Sequence, residues 1–181
     1  MSGPHPGTIE GRRLRFRPLT PDDAAYIQSL RTSPDYGRFL SPPAPSVAAQ
    51  RAWIEAYKAR EAAGQEYYFL IERRDDDAAC GTMRIYDISP GDATWGSFIL
   101  DANKPEKAAL EALMMVHEII FETLRLPRAL FDVRKANSHA LALYRRFGAV
   151  ETGADDVNRY FRLDAADFAR LAPSLSASLD G

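Results

Sequence analysis

What most constrains this chain is an alternation in its second half. "ATWGSFIL" (Ala93 to Leu100) is rich in strand formers, and "PEKAALEALMMVHEIIFETLRL" then carries a long helical apolar period. "RALFDVR" returns to strand formers, and "NSHALALYRRFG" is a helix stopped by Gly148. Strand, helix, strand implies a crossover unit, in which the two strands lie parallel and the helix covers the sheet. At 181 residues and 46% hydrophobic content, the chain can bury one substantial core around that unit. The expected fold class is α/β (α+β), with a mixed central sheet and flanking helices.

The first half adds strands and two helices to the same sheet. "RLRFRPL" reads as a first strand, and "TPDDAAYIQSLR" as a helix with Thr20 at its N-cap and Pro21 at N1. After the stiff connector "SPPAPS", Ser46 can cap a second helix whose Ala49, Trp53, Ile54 and Tyr57 form an apolar stripe. "EYYFLIERR" and "CGTMRIYDIS" are neighbouring strands joined by an acidic turn, and "NRYFRL" is a late strand. The layout expected is a flexible segment over residues 1–11, a single domain over residues 12–163, and a C-terminal tail over residues 164–181, frayed in "SLSASLDG".

A net charge of −2 gives no general attraction to nucleic acid or to an anionic membrane, so neither is expected as a partner. The single cysteine, Cys80, excludes an intrachain disulfide framework, and His5, His117 and His139 are too scattered for a zinc cluster, so no metal is expected. The start, "MSGPHPGTIEGRR", has no signal-peptide apolar region, and a cytoplasmic location is expected.

Any anion site must then be local. The chain has four lysines, and two of them, Lys104 and Lys107, flank a Pro-Glu pair at the mouth of the long helix. With Asn103 as cap and Pro105 at N1, the amides of Glu106, Lys107 and Ala108 would face outward, where the helix dipole suits phosphate. Glu106 opposes that charge, and a solvated helix end remains the alternative. In the last helix of the alternation Ala140, Leu143, Tyr144 and Phe147 share one stripe, so Tyr144 is half-buried with a hydroxyl that needs a partner. Asn137 and Ser138 read as N-caps of that helix.

Taken in order, "WGSFILDAN", the lysine-flanked helix, "ALFDVRKAN" and "SHALALYRRFGA" resemble the GNAT superfamily of acetyl-CoA-dependent N-acetyltransferases, from Arg12 to about Leu163. The resemblance implies a twisted sheet whose two parallel strands splay apart, with acetyl-CoA as co-substrate in the gap. The family's pyrophosphate turn, Arg/Gln-x-x-Gly-x-Gly/Ala, falls on Lys104, Pro105, Glu106, Lys107, Ala108 and Ala109. Lys107 stands where the family usually has glycine; helical backbone would not demand glycine there, and the lysine charge would replace close approach. By the same resemblance, the backbone of Phe98 and Ile99 pairs with the pantetheine arm, Asn137 lies near it, and Tyr144 protonates the departing thiolate.

The acceptor amine must lose a proton, and no base is evident. Thr94, Trp95 or Ser97 occupies the strand position where relatives carry glutamate, which leaves Asp87, Asp101 or a water relay. His117 reads as core-facing and His139 as exposed. "LRTSPDYGRFL" and the Trp-containing helix resemble two branches, the ribosomal-protein N-terminal acetyltransferase-like enzymes and the amino-sugar nucleotide N-acetyltransferases. Arg31 and Trp53 are the expected acceptor-wall residues, although an ordinary ion pair fits Arg31 better on local evidence. The expected acceptor is a primary amine on a peptide end or small molecule, with the amino-sugar nucleotide as alternative. A non-catalytic acyl-CoA sensor is a further alternative, and the chain is expected to be a monomer or homodimer.

Overall fold

The strands on either side of the long helix do run parallel, and the rest of the sheet is antiparallel around them. The computed structural model describes residues 4–181. Its strands are β1 (Ile9–Glu10), β2 (Leu14–Pro18), β3 (Tyr67–Arg73), β4 (Ala79–Tyr86), β5 (Ala93–Leu100), β6 (Arg128–Arg134), β7 (Val150–Ala154) and β8 (Asn158–Asp164). They form one sheet in the order β1-β2-β3-β4-β5-β6-β8-β7. The helices are α1 (Ala24–Thr32), α2 (Val47–Ala62), α3 (Ala108–Glu118), α4 (Ser138–Arg146) and α5 (Ala165–Leu179).

Two cores sandwich the sheet. Leu19, Ile27, Ile54, Tyr57, Tyr68 and Leu70 pack α1 and α2 on one face, while Phe16, Phe69, Leu113, Val116, Phe131, Phe161 and Phe168 belong to the larger core on the other. Strand β3 alternates between these cores, which is why nearly all of it is buried and apolar. Ser46 caps α2 as expected, its Oγ accepting from the Ala49 amide at 3.0 Å. Gly148 ends α4 at φ +91°, a left-handed conformation that glycine adopts without Cβ strain.

Several expectations are corrected. The long helix starts at Ala108, and Asn103 does not cap it; the residue before the helix is Lys107, left-handed at φ +60°. The same helix runs on through a π-helical turn over Ile119–Thr123. Residues read as a C-terminal tail form α5, because Phe168 and Leu179 give that segment an apolar face that buries in the larger core. In the segment expected to be flexible, Ile9 and Glu10 pair with Phe16 and Arg15; residues 1–3 of it lie outside the described residues. The buried Glu111 carboxylate holds the following backbone, accepting from the amides of Arg12, Arg13 and Leu14 at 2.6, 2.9 and 3.1 Å. No described helix is long and apolar enough to cross a membrane.

Candidate active site

The sheet opens between its two parallel strands. β5 and β6 pair only at Ala93 with Ala129 and Thr94 with Leu130, after which they diverge. A bulge accompanies the divergence: the β4–β5 register shifts between Thr82 and Arg84, and Ser97 takes φ +47° while its carbonyl accepts from the Thr82 hydroxyl at 2.7 Å. The resulting pocket is walled by β5 from Trp95 to Phe98 and, opposite, by Asp132, Val133, Arg134, Asn137 and Tyr144. Gly96 in that wall sits close to Tyr86, since a Cβ there would come within 3.2 Å of the Tyr86 hydroxyl and the ring would have to give by a few tenths of an ångström.

One side of the gap is aromatic. Trp95 stacks on Phe131 at 4.5 Å between centroids, and Tyr144 sets its ring edge-on to both, at 5.5 and 5.3 Å. Trp95 donates its indole N–H to His117 Nε2 at 3.1 Å, so His117 carries its proton on Nδ1 and gives it to the Leu113 carbonyl at 2.7 Å. Full burial pushes the His117 imidazole down to about 4 and keeps it neutral, a core position as expected. Tyr144 is also buried, and desolvation, with a smaller contribution from the Asp132 charge, raises its phenol above the usual range. Its ring lines the pocket and its hydroxyl takes no hydrogen bond among the described residues. Asn137 caps α4, its Oδ1 accepting from the Ala140 amide at 3.2 Å.

At the other end of β5 lies the lysine-flanked turn. Lys104 is exposed, and the Lys104 amide donates to Asp101 O at 3.1 Å. The left-handed Lys107 turns the chain so that the amides of Lys107, Ala109 and Leu110 take no backbone acceptor among the described residues. The Lys107 ammonium, expected at a diphosphate, instead donates to the Ser178 and Gly181 carbonyls at the end of α5. Left-handed backbone is the reason a glycine suits this position, so the expectation that helical backbone would not demand one is corrected. Glu106 is exposed, and its carbonyl accepts from Arg13 at 3.0 Å.

A second pocket adjoins the first and shares Ser41, Arg84 and Ser97 with it; Arg31, Gln50, Trp53 and Tyr68 are among its other walls, with the Pro42–Ala44 segment. Arg31 forms no ion pair among the described residues; its Nη2 donates to the carbonyl and hydroxyl of Ser41, both at 3.0 Å. The guanidiniums of Arg60 and Arg84 lie 5.2 and 5.3 Å from the Trp53 ring, and both pair with the buried carboxylate of Glu66. The Tyr68 hydroxyl is buried without a hydrogen-bond partner among the described residues.

A splayed parallel strand pair, a free-amide turn at the start of the crossover helix and a buried tyrosine facing the gap match one family throughout. The sequence profile of the acetyltransferase (GNAT) domain covers residues 13–150. This chain belongs to the GNAT acetyltransferases. GNAT enzymes use acetyl-CoA and act on amine acceptors. A probable N-acetyltransferase of Bacillus subtilis, YjcK, is 25% identical over 153 residues, spanning 80% of this chain and 84% of that protein. The solved structure of FdhC, described as a nucleotide-linked sugar GNAT in its apo form, superposes with a TM-score of 0.86. It is 31% identical, over 93% of this chain and 96% of that one. RimJ of Mycobacterium smegmatis, solved with CoA-disulfide, shares the fold at a TM-score of 0.79 and 20% identity, over 96% of this chain and 97% of its own.

Sequence reasoning named Phe98, Tyr144 and Asn137, and the structure brings these three to one pocket. Arg31 and Trp53 line the adjoining one. It missed Tyr86, Arg84 and Asp132. Their signal is weak because each sits in a strand, where period-2 alternation assigns a face but not which outward residue lies beside a gap.

Proposed function

We propose that this GNAT enzyme moves the acetyl group of acetyl-CoA to the primary amine of an amino sugar carried on a nucleotide. The observation that carries the acceptor class is the pocket beside Trp53. Among the described residues, Arg31 offers a guanidinium there with no carboxylate partner, and Tyr68 a buried hydroxyl with no partner, so the walls present donors suited to phosphate and sugar hydroxyls. The 31% identity to a nucleotide-linked sugar GNAT supports the same class. A peptide amino terminus, favoured on the sequence alone, leaves Arg31 with less charge to meet.

The residues of the turn fit acetyl-CoA. The free amides of Lys107, Ala109 and Leu110 are suited to its diphosphate, with Lys104 adding charge, and Glu106 and Ala108 shape the turn. Phe98 and Ile99 lie on the stretch of β5 unpaired with β6, which is open to an extended pantetheine arm, and Asn137 faces it across the pocket. Bound there, acetyl-CoA supplies an activated acyl carbonyl. A phenol is protonated at neutral pH and burial raises that of Tyr144 further, so Tyr144 stands protonated in the gap as the donor to the departing sulfur.

A panel of nucleotide-linked amino sugars, amino-terminal peptides and polyamines, scored by CoA release, tests this reading. Selective turnover of the nucleotide sugars is expected, with KM raised about 10-fold in Arg31→Ala through loss of a charged hydrogen bond. Selective turnover of peptides would overturn the acceptor class, and tight acetyl-CoA binding without turnover of any amine would establish a sensor.

A further inference from the structure

An alkyl amine with a pKa of about 8 to about 10 is an ammonium at neutral pH and cannot attack until it loses a proton. The carboxylates suggested by the sequence do not serve. Asp101 is buried, accepting from the Tyr26 hydroxyl at 2.7 Å and the Asn103 amide at 2.8 Å. Asp87 is an exposed turn residue at φ +49° and lines neither pocket.

Among the described residues that wall the two adjoining pockets there is one carboxylate, Asp132, and it lines the β5–β6 gap. Its neighbours Phe131 and Val133 point into the larger core, so Asp132 projects from the opposite face of β6, the face of α1 and α2. Tyr160, directly across on β8, gives its hydroxyl to Asp155 at 2.5 Å rather than to Asp132. The titratable and charged groups around Asp132 are Arg134 on its own strand, Tyr160 on β8 with Asp155 beyond it, Tyr86 and Arg84 from β4, and, lining the same gap from the core side, Tyr144 of α4. None of them bonds to it, and among the described residues it is a carboxylate without a hydrogen-bond partner in the gap.

We propose that Asp132 is the base that takes the proton from the acceptor ammonium. One N–H bond of the ammonium breaks, its electron pair stays on nitrogen, and the proton passes to a carboxylate oxygen of Asp132. The freed lone pair forms the C–N bond to the acetyl carbonyl carbon, and the C–S bond breaks with its electron pair leaving on sulfur. Tyr144 gives its proton to that sulfur and regains one from the surplus N–H of the new bond, while Asp132 returns its proton to water at the open mouth. Asp132 is exposed at the mouth of the gap, and the partial desolvation it meets there raises its carboxyl above the ordinary aspartate range, with Arg134 opposing and Asp155 reinforcing, which makes it a stronger acceptor. The inference rests on the acceptor amine entering the β5–β6 gap, whichever molecule carries it.

The test is Asp132→Asn, which keeps shape and removes the base. Its kcat/KM is measured across pH with an ammonium acceptor and with an alkoxyamine, which is neutral at pH 7; acetyl-CoA affinity follows by calorimetry. Expected are a loss of about 100-fold or more for the ammonium, a small loss for the alkoxyamine, disappearance of the acid limb, and unchanged acetyl-CoA affinity. Equal losses for both amines, or an unchanged rate with the ammonium, would overturn the assignment. In the free protein, carbon NMR should show the Asp132 carboxyl titrating above the ordinary range, and a titration at or below it would also overturn the assignment. The preference of the unaltered protein among acceptors tests the amino-sugar reading separately, because the two-amine comparison works with any ammonium acceptor.

Discussion

Strand β6 has two edges with opposite fates. Towards β8 every residue from Arg128 to Arg134 has a partner, whereas towards β5 only Ala129 and Leu130 do. At the closed edge Phe131 stacks on Phe161 at 5.7 Å and 11°, and both belong to the larger core. At the open edge stand Asp132, Tyr144 and the β5 bulge. Pairing and packing exhaust the hydrogen-bonding and apolar capacity of one edge, while the other keeps backbone and side-chain groups available to a ligand. Stability and chemistry should therefore separate across a single strand.

The largest expected effect lies on the closed edge. Leu163→Ala, on β8 opposite Ala129 and buried in the larger core, should cost about 2 to 5 kcal/mol in chemical denaturation, with kcat of the folded fraction little changed. A larger effect on turnover than on stability would break the comparison. Next comes the floor of the gap, where His117 holds Trp95. The folded imidazole titrates near 4 and the unfolded one near 6.5, so between those values the unfolded chain binds a proton that the folded chain excludes. Stability should rise with pH across that window, by about 3 kcal/mol in all, and be fully present above it. His117→Gln should flatten that part of the stability curve, and a slope that survives the change belongs to other groups.

On the open edge, Tyr144→Phe should lower turnover by about 100-fold while leaving the melting temperature and acetyl-CoA affinity nearly unchanged. Wild-type turnover, measured where chemistry limits the rate, would assign Tyr144 to packing alone. The smallest effect concerns the turn. Lys104→Ala should weaken acetyl-CoA binding about threefold, more at low salt. Lys107→Gly should weaken it less, because the Lys107 ammonium is bonded to the end of α5 and glycine relieves the left-handed backbone. A larger loss for Lys107→Gly would place its charge at the diphosphate after all.

Much of the scaffold was legible in sequence because its signals are local. The apolar period of α3, the cap at Ser46 and the stop at Gly148 each depend on residues a few positions apart. The site was legible in part: Tyr144 and Asn137 belong to a helix whose stripe and cap can be read directly. Asp132 was not, since an outward strand residue looks alike whether it meets solvent, a neighbouring strand or a gap. Helix α5 was passed over because Pro173 and the surrounding small polar residues weaken its helical signal, while burial of Phe168 and Leu179 against the core offsets that weakness.

The sequence by itself determined the central strand–helix–strand order, and with it the parallel β5–β6 pair, because hydrophobic period and crossover length are properties of consecutive residues. Only the tertiary structure decided where that pair parts, that Lys107 turns left-handed and gives its ammonium to α5, and that Asp132, without a partner among the described residues, lines the same gap as Tyr144. Those outcomes depend on which distant segments meet: β8 takes one edge of β6, and the bulge at Ser97 leaves the facing edges of β5 and β6 apart.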